Sequence, residues 1–108
     1  MNLQKYCEKL LGKRVELFFP IFDGVARSVE TERYAKIEIN GNLDKVERLV
    51  ALAHELSHLI LKSSRHDKEQ DELMRKIMKD LAKMYGFKFA ELEKIKRKLD
   101  KVAGVVIE

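Results

Sequence analysis

The stretch Leu52-Ala53-His54-Glu55-Leu56-Ser57-His58-Leu59-Ile60 sets two histidines four residues apart, with a glutamate directly after the first. On an α-helix, positions i and i+4 lie one above the other, so both imidazoles can grip one ion from the same side. Glu55 is turned by about 100° around the helix axis, off that face as a ligand but within reach of a water on the ion. Zinc lowers the pKa of such a water to about 7. A carboxylate beside it can take the proton and pass it to a leaving amine. The chemistry implied is amide hydrolysis, with His54 and His58 as metal ligands and Glu55 as general base. The competing reading is a pair of core histidines. Burying two histidines and a glutamate on a nearly apolar helix is costly unless they are paired or bind a metal. Two of the chain's three histidines lie on this one face.

A zinc site needs at least one more protein ligand. Lys62 to Arg65 contain neither the glycine nor the histidine of the extended pattern HExxHxxGxxH. The ligand is therefore expected from the following segment, Asp67-Lys68-Glu69-Gln70-Asp71-Glu72-Leu73-Met74. On an ideal helix Asp67, Asp71, Met74 and Met78 share a stripe, whereas Glu69 and Glu72 turn toward Lys76 and Lys79. Asp67 and Asp71 are the leading candidates, one as ligand and the other beside it, with His66 behind them. Tyr34, His66 and Tyr85 are candidates for stabilising an oxyanion.

These residues need elements to hold them. Residues 2–12 read as a helix, with Leu3, Tyr6, Cys7, Leu10 and Leu11 at helical spacing and Gly12 as a stop. Val15, Leu17 and Phe19 alternate as in a short strand that Pro20 ends. The runs Val25 to Glu30 and Tyr34 to Ile39 read as a strand pair, and Asn40-Gly41-Asn42 breaks the pattern. Asn42 or Asp44 can cap a helix over 43–62 that carries the histidines. Ser64 with Asp67 resembles a capping box opening a further helix. Met74, Ile77, Met78, Leu81, Met84 and Tyr85 form its inner stripe and Gly86 ends it. An amphipathic helix over 89–102 and an apolar tail follow. The expected fold is α+β: a small three-stranded sheet packed on the HExxH helix, with an N-terminal helix and two further helices.

With 108 residues the chain is expected to form one domain, 1–108. Hydrophobic residues at 45% and charged residues at 37% place it among globular chains rather than disordered ones. The longest uncharged apolar run, Leu49 to Ala53, is far short of the roughly 20 residues of a membrane span, so no membrane insertion is expected. No signal-peptide pattern is evident. Cys7 is the only cysteine, which excludes an internal disulfide and a cysteine zinc cluster and suits a cytoplasmic location. The net charge of +4 is a mild excess with both signs interleaved, and nucleic-acid binding is not expected. Lys94, Lys96, Arg97, Lys98 and Lys101 read as a solvated helix face.

At this point the chain resembles a known family. Lys36-Ile37-Glu38-Ile39-Asn40, a turn, and a helix holding His54-Glu55-Leu56-Ser57-His58 are similar to the gluzincin metallopeptidases, above all the minigluzincins, which resemble the soluble cores of HtpX-type membrane peptidases. A similar layout occurs in the ImmA/IrrE regulators. The resemblance spans about residues 34–82 and HExxH is its firm motif. In those families the next helix carries E-x-x-A-D or E-x-x-A-N, whose Glu ligates zinc. That pattern overlays Asp67-Lys68-Glu69-Gln70-Asp71, with Asp67 in place of Glu; Asp71 as ligand, with Met74 in the alanine position, fits nearly as well.

The resemblance implies a zinc metallopeptidase acting on peptides or unfolded proteins, with substrate added along an edge strand, for which the strand ending at Ile39 is the candidate. It also implies that the segment 101–108 can act as an inhibitory tail, giving a latent zymogen. The apolar Val105-Val106-Ile107 could alternatively join two chains as a homodimer. The alternatives to this function are a repressor-cleaving protease of the ImmA/IrrE type and a non-enzymatic small basic binding module.

Overall fold

The computed structural model describes residues 2–103. The tail expected to inhibit or to dimerise lies, from Gly104 onward, outside the described residues. Helix α1 (Leu3–Leu11) leads into strand β1 (Arg14–Phe18). Strands β2 (Ala26–Glu30) and β3 (Tyr34–Ile39) follow, then helices α2 (Lys45–Leu61), α3 (Lys68–Tyr85) and α4 (Phe89–Ala103). This is the expected α+β arrangement of three strands and four helices.

The sheet is mixed, in the order β1-β3-β2. β3 pairs parallel with β1, Val15 opposite Ala35, and antiparallel with β2, Ser28 opposite Ile37. β3 is therefore central, with both of its edges bonded. A substrate cannot add to the strand ending at Ile39, and the free edges among the described residues belong to β1 and β2. The alternation of β3 explains its place: Ala35, Ile37 and Ile39 are fully buried on one face.

α2 is the central helix. It packs against α1, β2, β3, α3 and α4, and Leu49, Val50, Leu52, Ala53 and Leu56 join β3 and the α3 stripe Met74, Ile77, Met78 and Leu81 in one core. Its start is fixed by Asp44 rather than Asn42. The Asp44 carboxylate accepts from the Glu47 amide at 2.9 Å, and the Glu47 carboxylate accepts from the Asp44 amide at 3.0 Å, a complete capping box. Replacing Asp44 with Ala is expected to lower stability by about 1 kcal/mol, read as an earlier urea midpoint; an unchanged midpoint would mean that packing alone fixes the helix start. At α3 the cap is Asp67 itself, not Ser64, and Gly86 ends the helix in the left-handed region at φ 73°. No helix among the described residues is long and apolar enough to cross a membrane.

Candidate metal centre

His54 and His58 lie on α2 one turn apart, as their spacing requires. The connector after them brings a third imidazole back. Lys62 takes the left-handed conformation at φ 52°, a shape uncommon for a residue with a side chain. The Lys62 amide and the Ser63 amide both donate to the His58 carbonyl. This turn folds 63–66 back over the end of α2, and His66 meets His54 just before α3 begins.

His58 Nε2 lies 3.0 Å from His54 Nε2, and His66 Nε2 lies 3.3 Å from the same atom. The three ring centroids are 4.5, 4.8 and 5.1 Å apart. Nitrogens bound about 2.0–2.1 Å from a tetrahedral zinc stand about 3.3 Å from one another; the two separations from His54 lie near that value, and all three ligand atoms fall within 4.8 Å of one another. Hydrogen bonding alone does not account for it. His58 Nδ1 sits 2.8 Å from the Ser63 carbonyl, which can only accept, so Nδ1 is the donor there and the neutral tautomer it favours is the one with a lone pair on Nε2. His54 Nε2 has a single in-plane proton or lone pair and cannot serve two neighbours; an ion among the three nitrogens can serve all of them. Burial, with the nearby His58 and His66, pushes the His54 pKa down to about 4. Its neutral form, the one a metal requires, therefore dominates at neutral pH.

Glu55 lies beside this cluster, largely enclosed. Burial raises its carboxyl above the ordinary value, opposed by a hydrogen bond with Ser28 of β2 and by His66. Ser57, between the two α2 histidines, donates to the His54 carbonyl at 2.7 Å and accepts from the buried Gln70 Nε2 at 2.8 Å. This tie fixes α3 to α2 within one turn of the histidines.

The two aspartates expected as ligands stand elsewhere. Asp67 caps α3, accepting from the Gln70 amide at 3.0 Å, and faces Arg65 at 3.6 Å. Asp71 turns to α4, whose Lys96 Nζ lies 2.6 Å from one of its oxygens, while Arg75 Nε, one turn on in α3, lies 2.9 Å from the other. The group of side chains among the described residues that could hold a metal is His54, His58 and His66. Of the oxyanion candidates, Tyr85 lines a cavity with Leu3, Phe19 and Leu52, its ring beneath Lys45. Tyr34 opens β3, and neither tyrosine lines the spaces beside Glu55.

Lys96 is not part of a solvated face. It is only 3% exposed and bridges Asp71 and Asp100, the latter at 2.7 Å, while Arg75 adds Glu93 at 2.6 Å. Burial alone would raise the Asp71 carboxyl, but Lys96 and Arg75 outweigh it and hold the group below its ordinary 3.8. Its stabilising effect is thus present above pH 3.8 and lost as pH falls through the lower folded value. Changing Lys96 to Met strands two carboxylates without their shared cation and is expected to cost about 3 kcal/mol. Urea unfolding at neutral pH reads this, and a loss below about 1 kcal/mol would show that water already screens the pair.

Two spaces flank Glu55. One is a cavity of about 140 Å³ reaching His54, and the other an open groove of about 400 Å³ along Ser28, Glu30 and His58. The sequence signal for His66 was plain in one respect, since it is the remaining histidine of three; its position in a non-periodic connector hid its direction. Ser28, Gln70 and Lys96 had no signal of their own. No protein-family model, curated protein or solved structure matches the chain.

Proposed function

We propose that this chain is a zinc-dependent metallopeptidase in which His54, His58 and His66 hold the ion and Glu55 is the general base. The observation that carries the reading is the convergence of three neutral-capable imidazoles at the spacing of a zinc ligand set beside a buried carboxylate. A site that offers three protein ligands is of the kind found at catalytic rather than structural zinc centres. Zinc so held supplies Lewis acidity to water and to a carbonyl oxygen.

The chain's own residues do the rest. The Ser63 carbonyl fixes the His58 tautomer, and the Ser57–Gln70 pair holds the helix turn between the ligands. Burial keeps Glu55 a stronger base than an exposed glutamate, and Ser28 orients it from β2. The free edge of β2 lies beside Glu55 and can pair with an extended peptide, so the substrate class is a peptide or an unfolded protein segment.

The test is zinc content and proteolysis of the full chain on an unfolded protein substrate. About one zinc per chain, with cleavage that a chelator abolishes and zinc restores, is expected. Zinc bound without cleavage would make the centre structural, and no zinc after reconstitution would leave a histidine cluster in a small binding domain.

A further inference from the structure

The cavity on the His54 side of Glu55 has a composition unlike the rest of the site. Its walls are Val25 and Ala26 of the β2 end, Val50 and Ala51 of α2, Met74 of α3 and Leu99 of α4. Val50, Ala51 and Met74 are each at most 2% exposed, so these walls belong to the packed core. Asp100 is the charged group at its α4 side, and Lys96 at 2.7 Å neutralises it. A cavity of about 150 Å³ with aliphatic walls takes a benzene ring, and this one measures about 140 Å³.

Its placement relative to β2 gives it direction. Ala26, Ser28 and Glu30 share one face of the strand; same-face residues repeat about every 6.8 Å. Ala26 borders the cavity, Ser28 meets Glu55, and Glu30 borders the open groove beyond. A peptide extended along β2 would therefore set one side chain into the cavity and the next peptide bond beside Glu55. On the opposite side it meets the polar groove of Glu30, Lys62 and Ser64.

We infer that this cavity selects the substrate: it takes an uncharged apolar side chain, of leucine to phenylalanine size, on a residue adjoining the bond that is cut. The inference rests on the peptidase reading for its role, but the cavity's occupant can be tested apart from catalysis. An apolar pocket commonly discriminates by about 10- to 200-fold per methylene, and filling it by substitution should erase that preference.

Two measurements decide it. In the first, N-acetyl-leucine amide and N-acetyl-glycine amide are titrated into the metal-free full chain and followed by ligand-observed NMR. Saturable binding of the leucine compound at least tenfold tighter than the glycine one is expected, and Ala51→Leu, which fills the cavity, should abolish the difference. Ala26→Leu narrows the mouth from a half-buried position and should act likewise should Ala51→Leu not fold. Equal binding of the two amides, or a leucine preference that survives both substitutions, overturns the inference whether or not the protein is an enzyme.

In the second, the zinc-loaded chain digests a peptide mixture and the cut sites are read by mass spectrometry. Leucine, methionine or phenylalanine beside the cut should be enriched at least tenfold, and Leu99→Ala should shift the preference toward larger rings. A preference for charged residues, or an unchanged pattern in the variants, overturns it. Leucine-selective binding without any cleavage would support the pocket while removing the peptidase reading.

Discussion

Changing His66 to Ala is expected to weaken zinc binding by more than about a hundredfold, whereas Asp67→Asn and Asp71→Asn should leave it nearly unchanged. Losing groups that merely orient a ligand commonly costs 10- to 100-fold in metal affinity, so loss of a ligand should exceed that range. The contrast is sharp because the aspartates have other work. Asn at 67 still caps α3, and Asp71 is held by Lys96 and Arg75 away from the imidazoles. Competition with a chromophoric chelator measures all three variants in one series. A hundredfold loss in Asp67→Asn or Asp71→Asn, with His66→Ala unaffected, would return the third ligand to an aspartate and make the histidine convergence incidental.

Glu55→Gln is expected to keep zinc at about one ion per chain and to lower kcat by about 10²- to 10⁴-fold, the usual contribution of a positioned general base. Gln is nearly isosteric and can still pair with Ser28, so the centre should keep its shape. Removing a carboxylate whose burial raises its pKa should also leave the melting temperature unchanged or raise it, as expected where activity and stability compete. Parallel assays of zinc content, turnover and thermal unfolding separate these effects. A drop in kcat below about tenfold would remove Glu55 as the base, while loss of zinc would show that its carboxylate helps hold the ion.

Much of the architecture was legible because it rests on period and capping. The buried run Ala35, Ile37 and Ile39 of β3 follows from alternation, and the inner stripe Met74, Ile77, Met78 and Leu81 from helical spacing. His54, Glu55 and His58 sit on one helix, where a single spacing rule relates them. The central place of β3 was not legible, because order within a sheet depends on how distant segments meet. The approach of His66 to His54 was hidden for the same reason. Its direction is set by the left-handed Lys62 and the Ser63 contacts, and no periodicity governs a connector of that length. Asp67 and Asp71 carry the right charge on the right helix. The first was claimed by the Gln70 amide, the second by Lys96, a residue whose burial its basic neighbours disguised.

The central position of α2 has a consequence for how an ion would come and go. With packing on five elements, its amides should exchange with solvent only when the whole domain opens. The connector that carries His66 is held by two amides on the His58 carbonyl, by the His58 ring on the Ser63 carbonyl and by its own cap onto α3, fewer ties than α2 has, so it is expected to open first. An ion among the three imidazoles would thus be tied to a many-sided core helix on one side and to a lightly held connector on the other. Its residence time would be set by local opening of 62–66, and it could exchange many times within the life of a single folded chain.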